Sequence, residues 1–336
     1  MIANRIRLAR QANSLSLQQL AERMTELSAP ITKAALSNYE TGKTALSPQA
    51  ISALSSALGM PVEFFHQDDW ADFDPVISTT LEPLPAARMA ELKAYVQIEL
   101  ERYLSVIDVL NDQRHPVPYT QTRVHLDAPR EIRSVCDEVR RLWGIGSYAI
   151  PSVCNLLESH DWLLFSLPYA FGHINFSGVE HSRDLRFLFY TPIPFQDEFR
   201  LLLLQELGRA YLICEPEEEA AVLSYFAREL LFPKVLVEQE FGTRRSHILE
   251  EELDRAKQKY GIARRNIMLR LKELGIISES YYNNFLMYLN QNSFMRRESR
   301  ISSMLCFFED PSAYAAKVAR AKAEGLLPND FGSFFM

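Results

Sequence analysis

The chain has 336 residues, 47% hydrophobic and 24% charged, which suits a globular protein of two or three domains with a sizeable core. No apolar run approaches the ~20 residues needed to span a bilayer, and the first residues lack the apolar stretch of a secretory signal; the expected compartment is the cytoplasm. A net charge of −7 argues against a protein that coats nucleic acid over its whole surface.

Ile2, Ile6 and Ala9 recur at helical spacing over 2–12, which places Arg5, Arg7 and Arg10 on the outer face. Ser16 and Gln19 fit a capping box, in which two side chains satisfy each other's free backbone donors at a helix start. Leu20, Ala21 and Met24 carry that second helix inward, and it ends within 25–30. Thr32 is a suitable cap for a third helix that stops near Gly42. On it Ala35, Leu36 and Tyr39 can pack inward, while Lys33, Ala34, Ser37 and Asn38 share the opposite face. A fourth helix over 48–58 is closed by Gly59, and Val62, Phe64 and Phe65 complete the small core.

Residues 1–60 hold six basic against three acidic side chains, a local charge of +3 on an acidic chain. Such asymmetry suits binding at specific DNA sites, although a bundle that only mediates protein contacts would share the pattern. The stretch from Ser16 to Phe65, with SLQQLAERM, ALSNYETGK and LSSALGMPVEFF, resembles the XRE (Cro/repressor-type) helix-turn-helix family. The resemblance implies an N-terminal five-helix module at 1–66 that reads double-stranded DNA. Gln18 would touch phosphate at the start of the second helix. Thr32, Lys33, Ala34, Ser37 and Asn38 would face the major groove, and Lys43 would approach the backbone. The connection between helices two and three is about five residues longer than in the shortest family members, which shifts the groove-facing positions by up to about a residue.

Residues 67–87 are rich in Asp, Pro, Ser and Thr and read as a linker. A long amphipathic helix follows to about Leu110, with Met89, Leu92, Val96, Leu100, Tyr103, Leu104 and Ile107 on one stripe. That stripe, or the domain behind it, is where a second copy would pair, since regulators of this type match two half-sites as dimers. From 119 the chain mixes helices and strands. Helices are expected at 130–143 and 150–160, strands at 162–167 and 185–190 around a turn-rich Ser177-Gly178, and helices at 198–213, 217–231 and beyond 246. The fold class is α+β, mostly α, with a small sheet. The four cysteines (Cys136, Cys154, Cys214, Cys306) form no CxxC pair and read as buried free thiols.

The strand pair, QELGR, SYFARELLFP and YGIARRNIMLRLKELGIIS resemble, in order, the ImmA/IrrE-type metallopeptidase domain. The resemblance implies a zincin-like domain at 119–300 with a helical tail at 301–336. Active members bind zinc through His-Glu-x-x-His on a helix, the Glu activating the metal-bound water. Here those positions are Gln205, Glu206 and Arg209, and the third ligand position falls on Ala220, with Glu219 one residue away. The seven histidines (His66, His115, His125, His160, His173, His181, His247) include no i, i+4 pair. Arg209 would place a permanent cation in the metal site, paired with Glu206 or Glu219. The expectation is a site with no metal, no cofactor and no enzymatic activity.

The leading expectation is thus a regulator, a repressor or autoregulator, whose peptidase-like domain supplies dimerisation or binds an effector or partner. A small anionic effector would suit Arg209. Two other readings stay open: a residual zinc peptidase that cleaves a repressor or antitoxin partner, and an antitoxin-like adaptor.

Overall fold

The computed structural model describes residues 2–70, 72–79, 85–113, 119–168, 171–172, 174–291, 309–329 and 331. Cys306, His115 and His173 lie outside the described residues. The chain opens with four helices, α1 (Ile2–Ala12), α2 (Leu17–Glu26), α3 (Lys33–Glu40) and α4 (Pro48–Leu58). Their ends follow local chemistry. Ser16 and Gln19 form the capping box, Thr32 Oγ1 accepts from the Ala35 amide at 3.1 Å, and Gly59 leaves α4 with φ +63°. The expected fifth helix is a short 3₁₀ turn, Val62–His66; Phe64 and Phe65 enter the core, whereas Val62 is 39% exposed. Ile6, Leu20, Met24, Leu36, Leu54 and Phe65 make that core.

The segment read as a linker contains strand β1 (Val76–Thr79). Helix α5 (Ala86–Leu110) follows, and it is buried on more than the expected stripe, with Ala94, Tyr95 and Ile98 also covered. The reason is its position: α1 packs on one side and the sheet on another. A stripe taken up inside one chain is not available to a second copy.

The remaining strands are β2 (Thr122–Arg123), β3 (Trp162–Ser166), β4 (Phe176–Glu180), β5 (Leu185–Tyr190) and β6 (Leu212–Ile213). The main sheet has the order β1-β4-β5-β3, antiparallel except for the parallel β3–β5 pair. Parallel β2 and β6 form a small separate ribbon. Strand β4 replaces the expected turn-rich stretch. Its Gly178 is what lets the sheet close: a Cβ there would lie 2.4 Å from the Val76 carbonyl and 2.5 Å from the Phe187 ring.

Alternation along the strands divides the sheet between two cores. Leu163, Phe165, Leu185, Phe187 and Phe189 join α5 and the N-terminal helices in one continuous cluster. Trp162, Leu164 and Leu188 join the second cluster with α6 (Pro129–Leu142), α7 (Val153–Glu158), α8 (Gln196–Tyr211) and α9 (Glu219–Leu231). Gly208 brings α8 and α9 close, since a Cβ would meet Leu223 at 2.9 Å and Phe226 at 3.0 Å. Helices α10 (Lys234–Phe241), α11 (Glu250–Tyr260), α12 (Arg264–Glu273) and α13 (Glu279–Gln291) complete this side. The last, α14 (Ala313–Ala323), returns to α5, where the Tyr314 ring lies 5.9 Å from that of Tyr103. Cys136 and Cys154 are buried free thiols, and Cys214 is a partly exposed one. Among the described residues no helix is long and apolar enough to cross a membrane.

Candidate nucleic-acid interface and a buried carboxylate site

Helix α3 turns Leu36 and Glu40 inward and presents Thr32, Lys33, Ala34 and Asn38 to solvent, with Ser37 half-buried beside them. The Lys43 amide donates to the Asn38 carbonyl at 2.9 Å, which holds exposed Lys43 just beyond the helix. Gln18 stands exposed at the start of α2, its amide donating to Glu22 at 2.8 Å. Small and polar side chains on α3 leave its outer face low enough to enter a groove.

Two of the three arginines expected on the outer face of α1 point elsewhere. Arg5 is 1% exposed and makes a two-pronged ion pair with Glu101 of α5, at 2.9 and 2.8 Å. Arg10 does the same with buried Glu40 at 2.6 and 2.9 Å. The charge offered outward by residues 2–43 therefore comes from Arg7, Arg23, Lys33 and Lys43, against Glu22 and Glu26.

On α8, Glu206 is 3% exposed. Its Oε2 accepts from Ser177 Oγ of β4 at 2.7 Å and from Arg209 Nε at 3.1 Å. Arg209 Nη1 also pairs with Glu219 at the first turn of α9. The two ion pairs entertained as alternatives from the sequence thus coexist, and one guanidinium joins both carboxylates. Burial pushes the Glu206 carboxyl above the usual carboxylate range, and the Arg209 charge opposes that push. Gln205 turns to Ser224, donating to its Oγ at 2.9 Å, and Ala220 is exposed. These residues do not fit a zinc ion. A guanidinium stands between the two carboxylates, and an amide engaged elsewhere replaces one imidazole.

Beside this cluster a cleft of about 480 Å³ opens between β4, β5 and the end of α8, lined in part by Tyr119, Gln121, Trp162, Ser177, Arg186 and Arg209. Arg186 escaped the sequence reading. The signal was one arginine inside the otherwise apolar LRFLFY strand, at a position whose neighbours are buried on both faces.

Residues 6–65 match the helix-turn-helix family model. Neither the curated proteins nor the solved structures give a match to the chain. The N-terminal module is a helix-turn-helix of the XRE type, which supports a DNA-binding transcription regulator.

Proposed function

We propose that the chain is a sequence-specific transcription regulator, a repressor or autoregulator working in the cytoplasm. Its parts are the DNA-binding module at 1–66, a connector at 67–118, a peptidase-like domain at 119–300 and a tail at 301–336, of which α14 is the described helix. The observation that carries the reading is the outer face of α3, where Lys33, Ala34 and Asn38 stand exposed inside a matched helix-turn-helix. In this reading Thr32, Lys33, Ala34, Ser37 and Asn38 read base edges, while Gln18 and Lys43 contact phosphates. The test is a footprint on DNA upstream of the protein's own gene. Asn38→Ala should cost about 1–3 kcal/mol at the protected site and little on unrelated DNA. Lys43→Ala should weaken both alike and reduce the salt dependence by about one phosphate contact. No protected site at low or physiological salt would sink the reading.

The domain at 119–300 is, in this proposal, an inactive counterpart of the ImmA/IrrE-type peptidases that serves dimerisation, effector binding or partner binding. The support is Arg209, which pairs with Glu206, the carboxylate that would activate a metal-bound water, and with Glu219. Because the α5 stripe is covered within one chain, pairing of two copies falls to the surface of this second domain. Full-length protein purified without chelators should carry no stoichiometric zinc. Equimolar zinc that disappears in Glu206→Ala or Glu219→Ala would restore the peptidase reading.

A further inference from the structure

Most buried arginines in this protein meet a carboxylate: Arg5 meets Glu101, Arg200 Glu309, Arg209 Glu206 and Glu219, and Arg270 Glu229, whereas Arg140 is held by the backbone carbonyls of Gly146, Tyr148 and Leu230. Arg186 has neither arrangement among the described residues. Its side chain is only 16% exposed, and its nearest carboxylate oxygen, on half-exposed Asp184, lies 3.8 Å from Nη2, beyond hydrogen-bond length. Its buried Nε has no hydrogen-bond partner among the described residues. What holds the group in place is stacking: the guanidinium carbon lies 3.8 Å from the centre of the Tyr119 ring. A guanidinium fixed in position, largely out of water and with no carboxylate at hydrogen-bond distance among the described residues is poised for an anion.

The surroundings say which kind. The cleft that Arg186 lines measures about 480 Å³, within the range of small-molecule sites. Val76, Val179, Ala210 and the rings of Tyr119 and Trp162 give it apolar wall, and Gln121, His181 and the half-exposed Asp184 add polar groups. Arg209 lines the same cleft, and its Nη2 likewise has no hydrogen-bond partner among the described residues, but two carboxylates already meet its charge, so the anion falls to Arg186. On the other face of β5, the neighbouring Phe187 and Phe189 belong to the core shared with α5 and the DNA-binding helices.

We infer that this cleft binds a small organic carboxylate, its oxygens on the Arg186 guanidinium and its apolar body along the Tyr119–Trp162 wall. The inference deepens the effector role proposed above and identifies the effector's chemistry. Titration calorimetry of the full chain with benzoate, benzamide and inorganic phosphate tests it. Benzoate should bind, with the neutral amide and the phosphate at least roughly tenfold weaker. Arg186→Gln should weaken benzoate by roughly ten- to a hundredfold, the worth of one charge-assisted contact, and leave the unfolding midpoint within a few degrees. Benzoate that does not bind, or binds no better than benzamide, overturns the inference, as does Arg186→Gln protein with wild-type affinity. Phosphate binding as tightly as benzoate overturns the organic ligand. The DNA footprint, run without benzoate, is a separate measurement: its loss with benzoate binding intact strikes the regulator reading alone.

Discussion

Arg5→Ala should lower the unfolding free energy by about 3–5 kcal/mol, the usual cost of removing one partner from a buried ion pair. Arg5 reaches from α1 to four groups outside its own helix. Its Nη1 holds both Glu101 oxygens, Nε donates to the Phe64 carbonyl at 3.1 Å, Nη2 donates to Gln67, and the guanidinium carbon stands 4.2 Å above the Phe64 ring. Without it Glu101 keeps, among the described residues, the Gln97 amide at 2.9 Å, its own side chain being 18% exposed. Urea unfolding measures the loss. The paired replacement Arg5→Met with Glu101→Leu should recover at least half of it, because two apolar groups leave no charge stranded. Exposed Arg7→Ala should stay within about 0.5 kcal/mol of the parent. If Arg5→Ala is equally mild, the contact between α1 and α5 is not held by this pair.

Glu309→Ala should cost at least as much. Glu309 and Arg200 are both fully buried, and the same carboxylate accepts from the Val153 and Cys154 amides and from Ser152 Oγ, each at 2.9 Å. One acidic side chain thus neutralises a buried cation and satisfies the first turn of α7. Removing it takes away that ion pair and leaves in place the backbone carbonyls of Ile150 at 2.7 Å, Pro151 at 3.3 Å and Tyr260 at 3.4 Å. The expected loss is about 3–5 kcal/mol for the stranded charge and about 1 kcal/mol for the helix start. Hydrogen exchange should show α14 opening before the rest, since Glu309 ties its approach to the second core. Glu309→Gln, which keeps an acceptor but no charge, should fall between. A loss under about 1 kcal/mol would mean that Arg200 finds another counter-charge.

The N-terminal helices were legible in the sequence because each boundary has a local cause: Ser16, Thr32 and Gly59 act within four residues of themselves. The direction of Arg5 was not, because its partner lies 96 positions away and helical spacing alone puts an arginine outside. Strand β1 hides among linker-type residues, since what makes it a strand is the edge of β4, not its own composition. Strand β4 was masked by Gly178, read as a turn residue when its purpose is to admit the Val76 carbonyl and the Phe187 ring. At the buried carboxylate, i, i+3 spacing pointed to the Arg209–Glu206 contact, whereas Ser177 arrives from a strand that spacing did not reveal. Arg186 was missed, although a lone arginine in LRFLFY was the signal. Its unmet donor appears only when Asp184 and Tyr119 are placed around it.

The Arg5–Glu101 bridge also bears on how this gene could be shuffled. A helix-turn-helix that folds by itself can be cut at its last helix and grafted onto another chain. Here a cut after His66 would leave Arg5 without its carboxylate and uncover the face of α1 that rests on α5. A cut after Leu110 would in turn uncover the face of α5 that rests on the sheet, so recombination that swaps DNA specificity among such chains should carry the helix-turn-helix together with α5 and the sheet.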